Sequence, residues 1–146
     1  MVRRAVWSAI AAVLLASSPF AAAESVSVPS GWKIVAEANG DLTGDGRADR
    51  VIIIQEQDPS KRLKHDGLGS PELDTNPRHL VVFQGTPQGY RQIAISTTLI
   101  PTEGDQESPC LADPIEDGGI EIKQGKLKVT LHYWLSCGSR CPCRLA

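Results

Sequence analysis

The residues with the clearest chemical potential lie in one acidic segment, Asp-Leu-Thr-Gly-Asp-Gly-Arg-Ala-Asp, which spans residues 41–49. Its first, third, fifth and ninth positions carry oxygen-bearing side chains, and its seventh position can contribute a backbone carbonyl. The resulting ligand set is Asp41, Thr43, Asp45, Arg47 (through its carbonyl) and Asp49. Calcium takes roughly 6–8 oxygen ligands and tolerates irregular geometry, so a tight loop of this kind can wrap it. The segment therefore predicts a calcium site.

Two glycines inside the segment, Gly44 and Gly46, allow the positive φ angles that let a short loop curl around an ion. An EF-hand is the first alternative, but its twelfth position requires a bidentate Glu, and this chain has Ile52 there. An EF-hand also requires a helix after the loop, whereas residues 51–54 have the pattern of a strand. A turn rich in Asp and Gly that binds no ion is the other alternative.

The elements that must position this loop are predominantly β-strands. A run of β-branched residues at 51–54 is typical of a strand that is buried on both faces. Two hairpins are predicted downstream, each with a glycine in its turn. The predicted strands cover residues 32–36, 51–54, 80–83, 90–94, 120–122 and 127–135. The pattern predicts a mainly β protein, with one antiparallel β-rich domain over residues 24–146, built as a sheet or a sandwich with long loops.

Two long polar segments separate these strands, residues 58–79 with three prolines and residues 101–119 with many acidic side chains. Loops of this length are uncommon unless they are functional or disordered. In the last predicted strand, Thr130, His132 and Trp134 share a polar face. An aromatic residue on such a face favours a surface for a protein or glycan partner, and packing under the long loops is the alternative.

The first 23 residues have the pattern of a secretory signal peptide. Arg3 and Arg4 precede an apolar run over residues 5–16, and small residues follow as far as Ala23. A membrane-spanning helix needs about 20 apolar residues, so this run is too short for stable membrane insertion. We therefore expect cleavage before Glu24 and a periplasmic or secreted location.

Export makes disulfide bonds the expected chemistry of the four cysteines, Cys110, Cys137, Cys141 and Cys143. Cys141 and Cys143 are too close in sequence to bridge each other without strain, and their pairing stays open. The favoured bridge joins Cys110 to Cys137 and contributes about 3.6 kcal/mol on the loop-entropy model. Zinc is the rival interpretation, but the chain has no Cys-x-x-Cys pair and His132 is the only imidazole nearby.

The composition fits a soluble protein and excludes a cationic nucleic-acid binder, since 15 Lys and Arg residues are balanced by 17 Asp and Glu residues. No assembled catalytic motif is present. The chain has no Gly-x-Ser-x-Gly and no His-Glu-x-x-His sequence, and its three histidines are scattered. We therefore expect a protein that is not an enzyme, with a small secreted or periplasmic hydrolase with an unrecognised site as the alternative.

Residues 40–51 resemble the calcium loop of FG-GAP/VCBS-type repeats, which are known from the propeller of integrin α-subunits. In that family the loop joins two strands, and the resemblance implies calcium binding through the five positions matched here. A propeller needs several blades, typically 4–8. This chain has one such loop and no internal repeat, so a complete propeller is not expected.

The chain is also similar, over about residues 32–139, to a group of small exported bacterial proteins of unknown function. The shared features are the single loop, Asn76-Pro77-Arg78 ahead of a strand, the acidic segment 113–120 that leads into a hairpin, and residues 127–138. The chain departs from that group at residues 140–146, which suggests a truncated or frame-shifted carboxyl terminus. Together, these features predict an exported β-domain in which calcium has a structural role.

Overall fold

Antiparallel strands dominate the computed structural model, which describes residues 26–116, 119–135 and 137. Within these residues there are eight strands and one short 3-10 helix, Pro59–Lys61. The strands are β1 (Trp32–Gly40), β2 (Asp49–Glu56), β3 (Arg62–Lys64), β4 (Glu72–Asp74), β5 (Arg78–Thr86), β6 (Gly89–Ser96), β7 (Gly119–Lys123) and β8 (Lys126–Thr130). The described part forms neither a closed barrel nor a propeller. The predicted fold class, mainly β with antiparallel sheets, is confirmed.

The largest sheet has four strands in the order β1-β2-β5-β6, and each neighbouring pair is antiparallel. β2 lies inside this sheet, and its residues 51–54 are between 0 and 4% exposed. A strand in which apolar and polar residues alternate has one solvent-exposed face, whereas an uninterrupted apolar run suits burial on both faces. The prediction of a doubly buried strand at 51–54 is therefore confirmed.

Different parts of the chain cover the two faces of the central sheet. One face is covered by apolar side chains of the β7–β8 hairpin, namely Ile120, Ile122, Leu127 and Val129. The other face is covered by side chains from the residues before β1, from the start of β1 and from the start of β6, namely Val26, Val28, Trp32 and Tyr90. The loop that joins β1 to β2 is the predicted calcium loop, so one of its ends is attached to the doubly buried strand β2.

Both predicted hairpins are present. The β5–β6 hairpin turns between Thr86 and Gly89, and the β7–β8 hairpin turns at Gln124 and Gly125. The φ angles of Gln124 and Gly125 are 52° and 69°, which is the left-handed region that two-residue hairpin turns require. The turn residues therefore set the register of this second hairpin.

The strand predicted at 127–135 is too long, because β8 ends at Thr130. In the pairing with β7, Thr130 lies opposite Gly119, the first residue of β7. The chain then turns to the 111–114 segment. The backbone N–H of His132 donates to the carbonyl of Pro114 at 2.8 Å, and the N–H of Ala112 donates to the carbonyl of Trp134 at 3.1 Å. The single polar face predicted for this strand is therefore wrong beyond Thr130.

The polar segment 58–79 contains regular structure that the sequence pattern did not predict. Asp58 caps the 3-10 helix by accepting a hydrogen bond from the N–H of Ser60, and the two short strands β3 and β4 pair with each other.

No helix among the described residues is long and apolar enough to cross a membrane. The predicted signal peptide (1–23), Cys141, Cys143 and the tail at 140–146 lie outside the described residues.

Candidate functional site

The predicted calcium loop is the connection between β1 and β2. The last residue of β1, Gly40, pairs with the first residue of β2, Asp49, so the strand register brings the two ends of the loop together. Gly44 and Gly46 have φ angles of +79° and +82°, as the sequence predicts. A Cβ atom at either glycine would meet nothing within 4 Å, so the backbone conformation alone calls for glycine there.

Asp41 and Asp45 organise the exposed part of the loop through their carboxylates. Asp41 accepts hydrogen bonds from the N–H of Gly44 at 2.6 Å and from the N–H of Gly46 at 2.9 Å. Asp45 accepts one from the N–H of Arg47 at 2.9 Å and a longer one from the side chain of Gln84 at 3.4 Å. The bonds from the N–H groups of Gly44, Gly46 and Arg47 are short-range turns of the kind that Asp forms in loops.

Asp49 differs from the other two aspartates because it is fully buried. Its carboxylate accepts hydrogen bonds from the N–H groups of Leu42, Thr43 and Gly85, at 2.8, 2.7 and 2.9 Å. Burial is the largest effect on the pKa of Asp49 and raises it. The hydrogen bonds from Gly85, Thr43 and Leu42 together outweigh burial, so the pKa lies below its usual value. The carboxylate is therefore held in its charged form.

The donor chemistry of the loop fits a hard cation, since every group in the predicted set is an oxygen. Each carboxylate oxygen has about two lone pairs, so Asp41 and Asp45 keep acceptor capacity beyond the amides that they bind. The side chains do not converge, however. Among the described residues, no group of three or more His, Cys, Asp or Glu side chains is placed to hold a metal ion.

The structure also assembles a buried polar network to which the sequence analysis gave no role. Arg78, with a side chain 1% exposed, donates to both carboxylate oxygens of Asp113 at 2.6 and 2.7 Å. Its Nε donates to the side-chain oxygen of Gln55 at 3.2 Å, and its Nη2 lies 3.5 Å from Glu103. The available signal was the position of Gln55 and Arg78 at the edges of apolar runs, where a polar residue needs a partner.

Two cavities lie beside this network, with volumes of about 370 and 380 Å³. Both are lined by Glu103, Asp113 and Glu116. Their lining is rich in carboxylates and differs from the mostly apolar lining of a small-molecule site. No histidine is among the described residues that line these two cavities. His79 stacks on Trp32 with ring centroids 4.5 Å apart, and His65 bonds to the carbonyl of Leu68 at 3.0 Å.

The predicted bridge between Cys110 and Cys137 is present, with Cα atoms 4.7 Å apart. Leu111 forms an isolated β-bridge with Leu135 beside it, so the disulfide fastens two segments that also pair through their backbones. A disulfide bond is compatible with an extracellular or periplasmic location, where the environment is oxidising.

Comparison with protein-family models, with curated proteins and with solved structures gives no match to this chain. The resemblance to the FG-GAP/VCBS loop therefore rests on the sequence of the loop itself.

Proposed function

We propose that this protein is an exported β-domain and that its β1–β2 loop binds calcium as a structural ion. The observation that carries the proposal is the composition of the loop. Oxygen ligands alternate along it, and the two left-handed glycines curl its backbone. The ion would be bound by the carboxylates of Asp41 and Asp45, the hydroxyl of Thr43 and the carbonyl of Arg47, of which Asp41 is half-buried and the others are exposed. Asp49, the fifth residue of the predicted set, is buried and is considered separately below.

Charge supports this assignment. The loop carries three carboxylates and one arginine, and the Arg47 guanidinium lies 3.7 Å from Asp45 with half of its side chain exposed. An ion pair that exposed contributes little to stability, so Arg47 neutralises the loop only weakly. A divalent cation would balance the net charge of −2 that three carboxylates and one guanidinium give the loop.

The proposal is tested by unfolding the purified protein in EDTA and across a calcium series. Extracellular calcium modules bind at about 10⁻⁴–10⁻³ M, so several millimolar calcium should add about 1–2 kcal/mol by mass action. Asp45→Ala should abolish this calcium-dependent gain.

The matched control is Asp105→Ala. Asp105 is an exposed loop aspartate that accepts a hydrogen bond from the N–H two residues later at 2.8 Å, as Asp45 does at 2.9 Å. The control variant should keep the full response to calcium. A wild-type protein that stays folded and whose stability does not change with calcium would contradict the proposal.

A further inference from the structure

Asp49 lies where three parts of the chain meet. It is the first residue of β2, and its carboxylate reaches the start of the loop through Leu42 and Thr43 and the neighbouring strand β5 through Gly85. The hydrogen bond from Gly85 joins residues that are 36 positions apart in sequence. A single side chain thus connects the loop, its own strand and the interior of the sheet.

The backbone immediately before Asp49 lies unusually close to β5. A Cβ atom at Gly85 would lie 2.3 Å from the carbonyl oxygen of Ala48, a distance that real Cβ atoms do not show. The backbone before Asp49 therefore rests directly on the backbone of Gly85. This approach, which only glycine permits, brings the N–H of Gly85 to 2.9 Å from the Asp49 carboxylate.

The amides leave Asp49 little capacity for a metal ion. One of its oxygens, Oδ2, accepts from both Leu42 and Thr43, which uses the two lone pairs that a carboxylate oxygen offers. The other oxygen, Oδ1, accepts from Gly85, and because the side chain is fully buried its remaining lone pair is not exposed to an ion from solvent. Binding calcium through Oδ2 would require at least one of these N–H groups to lose its partner, and an unpaired amide in a buried site is costly.

We propose that Asp49 is the positioning residue of the β1–β2 loop: its buried carboxylate binds three backbone amides and so fixes the loop in the protein without calcium, and it is not a calcium ligand. The statement about the ligand set rests on the proposed function. The statement about the fold of the loop does not, because it depends only on hydrogen bonds within the chain.

The first test is amide hydrogen exchange of the wild-type protein in EDTA. The N–H groups of Leu42, Thr43 and Gly85 should exchange at least 10-fold more slowly in EDTA than in an unstructured peptide, because the Asp49 carboxylate binds them without an ion. Amides that exchange freely in EDTA and become protected only with calcium would overturn the proposal.

The second test compares two isosteric variants, Asp49→Asn and Asp41→Asn. An Asn side chain has one acceptor oxygen in place of two, so at position 49 it leaves a buried N–H without a partner. In EDTA we expect Asp49→Asn to lower the equilibrium constant for folding about 10- to 100-fold, in line with the cost of an unpaired buried group. Asp41 binds amides only at the exposed surface, so Asp41→Asn should lower this constant less than 5-fold.

Calcium titrations of the same variants separate the two proposals. Under conditions where Asp49→Asn is folded, it should still bind calcium, with a loss of affinity clearly smaller than the loss of at least 10-fold expected for Asp45→Ala. Loss of affinity in Asp49→Asn equal to that in Asp45→Ala would overturn the assignment of Asp49 as a residue that is not a ligand. If the wild-type protein binds no calcium, the proposed function fails, and protection of the three amides in EDTA still supports the role of Asp49 in the fold.

Discussion

The guanidinium of Arg78 donates hydrogen bonds to both carboxylate oxygens of Asp113. This pair joins the first residue of β5 to a residue 35 positions later in the sequence. Arg78 is nearly inaccessible to solvent, whereas the side chain of Asp113 is 21% exposed. Bidentate pairs of this kind fix geometry as well as adding energy. This pair fastens the loop between β6 and β7 to the start of β5, an inner strand of the central sheet.

Removal of Asp113 should therefore be costly. Asp113→Ala leaves the buried charge of Arg78 without its main partner, and breaking one side of a buried ion pair typically costs about 3–5 kcal/mol. Because Asp113 is partly exposed, we expect the free energy of unfolding, measured in urea, to fall by an amount near the lower end of this range, about 3 kcal/mol.

Glu103→Ala is the control. Glu103 contacts Arg78 only at 3.5 Å and is 46% exposed, so its loss should cost less than about 1 kcal/mol. Equal losses in both variants would contradict this assignment.

The disulfide should stabilise the same region. Cys110 and Cys137 are 27 residues apart in sequence, and the loop-entropy model gives about 3.6 kcal/mol for a closed loop of this length. The double variant Cys110→Ser/Cys137→Ser should unfold at a correspondingly lower urea concentration. Dithiothreitol should lower the midpoint of the wild-type protein toward that of the variant and should leave the variant unchanged. A variant as stable as the oxidised wild-type protein would show that the backbone pairing of Leu111 with Leu135 is sufficient by itself.

The strands with strong local signals could be predicted from sequence. Residues 51–54 are apolar and β-branched because β2 is covered on both faces, and the β7–β8 turn carries its glycine at a left-handed position. β3 and β4 were missed because each has three residues, too few to show a period. The end of β8 was missed because the alternation of apolar and polar residues continues beyond Thr130, whereas the backbone there bonds to the 111–114 segment, which no local pattern indicates.

The candidate site was predictable only in part. The spacing of its aspartates and the left-handed glycines of the loop follow from local sequence. The different environment of Asp49 does not, because its burial depends on Gly85, a residue of β5 that is 36 positions away. The Arg78–Asp113 pair likewise joins residues that no local pattern relates. Long-range contacts of this kind are set by how the elements pack together, and the sequence of one segment does not contain them.

The close approach at Gly85 gives a further prediction. Gly85→Ala places a Cβ atom 2.3 Å from the carbonyl oxygen of Ala48, and the overlap is with backbone that cannot rotate away. Overpacking of this kind costs about 1–3 kcal/mol. Gly67→Ala is a suitable control, because the nearest atoms there belong to the ring of His65 in an exposed loop. It should change the free energy of unfolding by less than about 0.5 kcal/mol. A Gly85→Ala variant as stable as Gly67→Ala would contradict the close contact between β5 and the end of the loop.

Asp74 should make stability depend on pH in the acid range. Burial is the largest effect on its pKa and raises it, but hydrogen bonds from the backbone and side chain of Asn76 and the charge of Arg62 outweigh burial and lower the pKa below 3.8. The native carboxyl therefore holds its proton less tightly than the unfolded chain does. Its contribution is complete well above pH 3.8 and is lost as the pH falls through the lower native value.

Replacement of the Asp74 carboxyl should make the free energy of unfolding depend less on pH in the acid range. In urea unfolding measured between pH 6 and pH 2, Asp74→Asn should lose less stability on acidification than the wild-type protein, even if it is less stable at pH 6. Glu72→Gln removes an exposed carboxylate from the same short strand and is the matched control. It should keep the wild-type slope, since Glu72 lies outside the hydrogen bonds that hold Asp74. Parallel profiles for Asp74→Asn and the wild-type protein would show that other carboxylates set the acid sensitivity.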